Sequence, residues 1–255
     1  MSSSYRNDQA YGDLKSRTSA ADMDAFESSI HTLVLQSEVD LEALRRISRT
    51  PGGFRDSKIR KYIWPILLGI DDDSIVPNYR DFINENHKDA SQIQNDIDRS
   101  LWKQDVVLAW SEDHRAKQRK ELSEIICSVL SRNKSLSYYQ GFHDIVSVFF
   151  LVFDDDILTF GATEALCTDF IFDNMRESFS TISEVLYLIL AIIGELDKPL
   201  FLFLDKCKIE PFFAISWFLT WFSHDISSLN EAARVYDVLL CSHPSFILYL
   251  CSSVR

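Results

Sequence analysis

The 255-residue chain has 46% hydrophobic and 25% charged residues, which is enough apolar side chain for a sizeable core. A net charge of −12 argues against nucleic-acid binding and against nonspecific adhesion to anionic membranes. The five cysteines include no CxxC pair and the six histidines no HExxH spacing, so we expect neither a disulfide framework nor a structural metal. Few glycines and prolines favour long helices.

Polarity divides the chain near its start. Residues 1–24 are polar and show no sustained apolar period, so we predict a disordered N-terminal segment followed by one domain over residues 25–255. From Phe26 to Leu44, apolar side chains recur with helical spacing, which predicts one amphipathic helix that the Pro-Gly-Gly turn at residues 51–53 ends. The chain stops within an apolar pattern typical of a helix, so we expect the domain to lack some C-terminal elements.

Helical periodicity continues along the rest of the chain, and strand alternation never persists, so the predicted fold class is all-α. Residues 121–130 give the clearest amphipathic pattern, and residues 145–153 are almost wholly apolar, as in a buried helix. Further helices are predicted at residues 59–68, 163–172, 182–193, 198–206, 212–222 and 231–241. The core anchors expected in the mixed segment 91–110 are Ile93, Ile97, Leu101 and Trp102.

Three short blocks stand out, at residues 60–69, 93–99 and 138–141. Each block has a simple local explanation when it is taken alone. Arg60 and Trp64, at i and i+4, could pair on a helix surface. Asp96 and Arg99, at i and i+3, could form a local ion pair. Gln140 could cap a helix, with the glycine after it easing the turn.

Together and in this order, the blocks resemble the TBC domain, an all-helical family of GTPase-activating proteins for Rab GTPases. That family carries an RxxxW block, an IxxDxxR block and a YxQG block, which here begin at Arg60, Ile93 and Tyr138. The later segments PFFAISWFLTWFSH and ARVYDVLL are also similar, so the resemblance spans roughly residues 45–250. It implies a multi-helix, V-shaped array.

The resemblance implies that the domain stimulates GTP hydrolysis by a GTP-bound Rab and so regulates vesicle traffic. Arg99 would be an arginine finger, supplied in trans to stabilise the charge that spreads over the transferring phosphoryl group. Gln140 would be a glutamine finger that orients the attacking water, since a side-chain amide both accepts and donates hydrogen bonds. The domain would need no cofactor of its own, because GTP and Mg²⁺ arrive with the GTPase.

The family motif also implies supporting residues. Asp96 would fix the guanidinium of the arginine finger by a salt bridge, and Tyr138 would pack behind the glutamine. Gly141 would let the backbone approach the GTPase closely. Arg60 and Trp64 would be structural supports near the site rather than catalytic groups.

The form YYQGFHDIV looks like that of a subgroup anchored on the endoplasmic reticulum (ER) by a C-terminal membrane helix, which acts on the Rab of ER-to-Golgi traffic. The longest apolar run here, residues 185–194, is too short to span a bilayer. We therefore expect a cytoplasmic chain that meets the ER or Golgi membrane only if an anchor follows residue 255. Although His143 and Asp144 are adjacent, we expect no hydrolytic dyad, because neighbours on a helix do not face each other.

Two alternatives remain open from the sequence alone. The first is a noncatalytic Rab-binding or scaffold module, because some members of the family lack the fingers and only bind. The presence of Arg99 and Gln140 argues against that alternative. The second is an unrelated helical scaffold whose motif matches arise by chance. The aromatic side chains of residues 212–222 have helical spacing and predict core packing, with some of them in reach of a partner.

Overall fold

The computed structural model describes residues 39–254 except 72–74, 85, 178 and 179, together with residues 30, 32 and 33. Over these residues the chain is helical and contains no strand, which confirms the predicted all-α fold class. The predicted disordered segment, residues 1–24, lies outside the described part. The α-helices are α1 (Leu41–Ser48), α2 (Ser57–Leu67), α3 (Ala90–Ile97), α4 (Glu112–Arg132), α5 (Phe142–Phe153), α6 (Asp156–Asp169), α7 (Ser180–Leu196), α8 (Lys198–Lys206), α9 (Ile215–Thr220), α10 (Leu229–Leu240) and α11 (Phe246–Ser253).

Helix α5 lies at the centre of the larger packed group. Its sequence, FHDIVSVFFLVF, is apolar on every face, and a helix of that kind is stable only when neighbours surround it. Helices α2, α3, α4, α6, α9 and α10 all pack against it. A second group forms where α8 and α11 pack against α7. The N-terminal end of α5 emerges from this packing beside the ends of α3 and α9, and that position defines the candidate site.

Three predicted helix boundaries are wrong for identifiable reasons. The helix predicted at residues 163–172 is α6, which begins seven residues earlier because the Asp155 carboxylate caps it by accepting from the Leu158 amide at 2.9 Å, and which ends at Asp169. The single helix predicted from Phe26 to Leu44 is interrupted, because Val39 and Asp40 are not helical and the Asp40 carboxylate caps α1 by accepting from the Ala43 amide at 2.9 Å. Helix α4 begins nine residues earlier than its apolar pattern indicates. Its first half is polar, but Ser111 supplies a side-chain cap to the His114 amide, so the helix starts there.

Two predictions of core packing are also corrected. Trp102 is 49% exposed, whereas Leu101 before it is 2% exposed and takes the core position. The predicted helix over residues 212–222 is a short 3₁₀ turn, Pro211–Ala214, followed by α9. Phe212 and Phe213 in that turn are 38% and 41% exposed, so the prediction of core packing is wrong for both. The later aromatic residues of the segment 212–222 are buried as predicted, namely Phe218, Trp221 and Phe222.

A buried ion pair joins α2 to α10. The Arg60 guanidinium donates from Nε to Asp237 Oδ1 at 3.0 Å and from Nη2 to Oδ2 at 3.0 Å. Trp64 Nε1 donates to the same carboxylate at 2.9 Å, and the Phe54 amide donates to it at 3.2 Å. The three side chains are almost inaccessible to solvent, so the alternative of an exposed Arg60–Trp64 pair is wrong. Burial raises the pKa of Asp237, and the nearby guanidinium opposes that rise.

Replacing Asp237 by alanine should lower the free energy of unfolding by about 3–5 kcal/mol, because the change leaves the Arg60 guanidinium buried without its counter-ion. Urea unfolding of both proteins measures the difference. The matched control is Asp205→Ala, since Asp205 pairs with Lys208 only at the surface and its loss should cost less than about 1 kcal/mol. Equal losses in the two variants would contradict a structural role for the buried pair.

Candidate functional site

The candidate site forms where the C-terminal end of α3 meets the segment that leads into α5. Ile93 and Ile97 bury one face of α3 against the core, and Asp96 lies between them with only 2% of its surface exposed. The segment before α5 turns at Gly141, whose φ of 96° lies in the left-handed region that favours glycine. This turn brings the residues of both predicted catalytic blocks together.

The Asp96 carboxylate accepts hydrogen bonds from both segments. Arg99 Nη2 donates to Oδ1 at 2.7 Å. On the other oxygen, the Tyr138 hydroxyl donates to Oδ2 at 2.8 Å and the Gly141 amide donates at 3.2 Å. His143 Nδ1 lies 3.4 Å from Oδ2. One buried carboxylate therefore ties the arginine block to the glutamine block.

This environment keeps Asp96 ionised. Burial alone would raise the pKa of the carboxyl group, but hydrogen bonds from His143, Tyr138 and the Gly141 amide together lower it well below the usual range. Burial and the neighbouring Asp96 charge raise the pKa of Tyr138, so its hydroxyl stays protonated and remains a donor. The arrangement is a charged acceptor surrounded by fixed donors.

Arg99 lies just beyond the end of α3 and is exposed on one side. Its side chain is 68% exposed, although one Nη atom is fixed on the buried Asp96 carboxylate. The Nε atom also donates to the Asn95 carbonyl oxygen at 3.1 Å. Asp96 and the Asn95 carbonyl therefore fix one side of the guanidinium, and its other side is open to solvent. A cation that acts on another molecule needs this arrangement.

Gln140 is exposed, and its side chain forms a hydrogen bond with no residue that the structure describes. The residue before α5 is Gly141, and no side chain caps the helix there, so the alternative of Gln140 as a helix cap is wrong. The Tyr138 hydroxyl bonds to Asp96 rather than to Gln140. Tyr138 therefore influences the position of Gln140 only through the backbone that connects the two residues.

Arg99 and Gln140 line one open cleft of about 710 Å³, which we call the Arg99–Gln140 cleft. Asp96 and Gly141 lie in its wall. The predicted supports Arg60 and Trp64 do not line the cleft, and they act instead on the packing of α2 against α10. The remaining lining residues include Trp102, Lys103, His143, Asp144, Thr220 and His224.

The cleft also contains His143, Asp144 and His224, and no sequence motif singled out His224. His224 Nδ1 lies 2.7 Å from Asp144 Oδ2, and His143 Nε2 lies 3.4 Å from Asp144 Oδ1. The hydrogen bond to Asp144 raises the pKa of His224. The expectation that His143 and Asp144 point apart is wrong, because the imidazole lies between the Asp96 and Asp144 carboxylates. The His143 ring thus bridges two carboxylates, and the arrangement places no serine or cysteine nucleophile beside it.

Within the described residues, no group of three or more His, Cys, Asp or Glu side chains is arranged to hold a metal ion. Nor does any described helix combine the length and apolar character that crossing a membrane requires. The cysteines of the described part are free thiols, and burial raises the pKa of Cys167, Cys241 and Cys251.

The fold and the site define a helical domain in which an exposed arginine and an exposed glutamine share one cleft. A model of the Rab-GTPase-TBC domain family matches residues 57–254, and the chain belongs to that family.

Known relatives are similar to the chain in sequence, and a solved structure is similar to it in fold. The chain is 32% identical over 227 residues to TBC1 domain family member 20 of Mus musculus, covering 89% of this chain and 56% of that protein. It is 29% identical over 221 residues to the GTPase-activating protein gyp10 of Schizosaccharomyces pombe, covering 84% and 57%. The chain thus spans a little over half the length of these relatives. The crystal structure of the Ypt/Rab-GAP domain of Gyp1p shares the fold, with a TM-score of 0.67, 17% identity and coverage of 88% and 82%.

Asp96→Asn should destabilise the protein at pH 7 and do so less in acid. The pKa of Asp96 is lower in the folded chain than the unfolded value of about 3.9, so its contribution is complete above that pH and is lost as the pH falls towards the folded value. Urea unfolding measured from about pH 6 down to pH 3 should show that the difference in the free energy of unfolding between the variant and the wild type becomes smaller. Asp98→Asn, at an exposed neighbour, is the control. A gap that stays constant with pH would contradict the prediction.

Gly141→Ala should lower stability for two separable reasons. The backbone φ of 96° is strained for alanine, and the added methyl carbon would lie 3.0 Å from Thr220 Cγ2. We expect a loss of about 1–3 kcal/mol by thermal unfolding. Adding Thr220→Ser removes the methyl contact while keeping a hydroxyl, so it should recover part of the loss. No recovery would mean that backbone strain alone is responsible.

Proposed function

We propose that this domain stimulates GTP hydrolysis by a Rab GTPase in its GTP-bound state, with Arg99 as the arginine finger and Gln140 as the glutamine finger. The observation that supports this most directly is the shared bonding of the two blocks to Asp96, with both side chains facing one open cleft. Membership of the Rab-GTPase-TBC domain family supports the same class of reaction.

The arginine would act on the charge that develops during phosphoryl transfer. An arginine supplied in trans can raise the rate by about 10³–10⁵, because it stabilises charge that the GTPase alone stabilises poorly. Arg99 meets two physical requirements for that role. Its guanidinium is exposed, and Asp96 holds it in a defined direction before the partner arrives, which reduces the entropy lost on binding.

The glutamine would position the attacking water. A side-chain amide can accept a hydrogen bond from that water and donate one to a phosphate oxygen. Gln140 is exposed and is not engaged by the described residues, so its amide is available to a partner. GTP and Mg²⁺ would belong to the GTPase, and the domain would contribute no cofactor of its own.

Asp96, Tyr138 and Gly141 would be positioning residues, since their hydrogen bonds set the geometry of the two fingers. Arg60 and Trp64 would support the domain at a distance from the chemistry.

We further propose that residues 25–255 contribute to one such domain and that its substrate is the Rab of ER-to-Golgi traffic. The YYQGFHDIV form supports that choice of partner, and the GTPase-activating name of the gyp10 relative supports the activity. The chain would act on the cytoplasmic side, at the ER or Golgi membrane if a longer protein carries an anchor.

Single-turnover GTP hydrolysis on a panel of GTP-loaded Rabs tests the proposal. The wild-type chain should accelerate hydrolysis by at least one Rab, and Arg99→Ala should lower the stimulated rate by about 10³. Gln140→Ala should lower it by about 10² or more. The controls are Arg176→Ala and Gln94→Ala, since both side chains are exposed and neither lines the cleft.

Two results would overturn the proposal. Equal rates for wild type, Arg99→Ala and Gln140→Ala, with folding intact, would remove both fingers from the mechanism. Binding of GTP-loaded Rab without any acceleration would instead support the noncatalytic binding module.

A further inference from the structure

Trp102 is a large apolar side chain held half-exposed at the wall of the Arg99–Gln140 cleft. It lies three positions after Arg99 and remains 49% exposed. An exposed tryptophan gives up much of the free energy that burial of its ring would provide. The ring therefore lies where another molecule that enters the cleft can cover it.

Two arginines of α4 hold the ring in place. The guanidinium carbon of Arg115 lies 3.8 Å from the Trp102 ring centroid, and that of Arg119 lies 5.0 Å from it. Both guanidiniums are themselves fixed. Arg115 donates to the Leu101 and Val107 carbonyl oxygens, and Arg119 donates to the Ser100 carbonyl oxygen at 2.9 Å. The ring is thus stacked on a rigid cationic support.

The two arginines leave part of the ring accessible to a partner. Arg115 and Arg119 are four residues apart on α4, so they project from the same side of the helix. About half of Trp102 stays exposed, and we call this accessible part of the ring its open face. A second cation would be repelled by the two guanidiniums behind the ring. The indole ring is itself apolar, so the open face suits an apolar surface.

We propose that Trp102 is a contact residue for the GTPase: its open face packs on an apolar surface patch of the GTP-loaded Rab beside the nucleotide, and this contact sets the affinity of the complex. The inference rests on the proposed function, since the same partner would present its nucleotide to Arg99 and Gln140. A rigid aromatic residue next to a functional cleft has the features of an interface hot spot, because little conformational entropy is lost when it is covered.

The test separates binding from chemistry. Stimulated hydrolysis is measured against Rab concentration, with the panel member that the wild-type chain stimulates fastest. Trp102→Ala should raise KM by about tenfold or more and change kcat by less than about twofold. Arg99→Ala should lower kcat. The matched control is Leu202→Ala, an equally exposed apolar side chain outside the cleft, which should leave both constants unchanged.

A spectroscopic measurement covers the case in which Trp102→Ala fails to fold. The wild-type chain is labelled with 5-fluorotryptophan, and the Trp102 signal is assigned from the spectrum of Trp102→Phe. Adding the Rab loaded with GDP and aluminium fluoride should shift that signal, while the signal of the buried Trp64 stays in place.

The outcomes distinguish the two proposals. If the wild-type chain stimulates a Rab and Arg99→Ala abolishes the effect, an unchanged KM in a folded Trp102→Ala variant overturns the Trp102 contact alone. An unshifted Trp102 signal does the same. A wild-type chain that stimulates no Rab overturns both proposals.

Discussion

The candidate site depends on the carboxylate of Asp96. An ionised carboxylate that is 2% exposed is stable only if fixed donors replace the water it has lost. Arg99 supplies the donor on one oxygen, and Tyr138 and Gly141 supply donors on the other. The position of Arg99 and the path of the backbone around Gln140 therefore both follow from the need to replace the water that the buried Asp96 carboxylate has lost. Stability and site geometry cannot be varied independently here.

Helix type and approximate extent could be predicted because they depend on local pattern. The apolar run in α5 and the amphipathic period of α4 each indicate a helix without reference to the rest of the chain. The interruption at Asp40 and the early start of α4 at Ser111 are set by side-chain caps. The apolar period does not record those hydrogen bonds, so the boundaries were wrong there. A lone acid among apolar residues, Asp237, was the available signal for the partner of Arg60.

The same division applies to the site. The Asp96–Arg99 pair follows from spacing, because residues three apart at a helix end can meet. Tyr138 and Gly141 reach Asp96 across 42 and 45 positions, a contact that only the packing of α5 against α3 creates. The family motif indicated which residues belong together but not that Asp96 joins them. The prediction that Trp102 lies in the core is wrong because it rested on the hydrophobicity of the side chain. The structure shows that the neighbouring Leu101 is the residue buried in the core, whereas Trp102 is half-exposed.

The ion pair between α2 and α10 also constrains the order in which the chain can fold. Arg60 and Asp237 are separated by 177 positions. At a synthesis rate of about 5–20 residues per second, roughly 10–35 s pass between the appearance of the two residues. During that interval α2 exists without the acceptor that its arginine and tryptophan require. The native packing around Phe54 and Trp64 therefore depends on a contact across 177 positions, which forms more slowly than the local contacts within a helix.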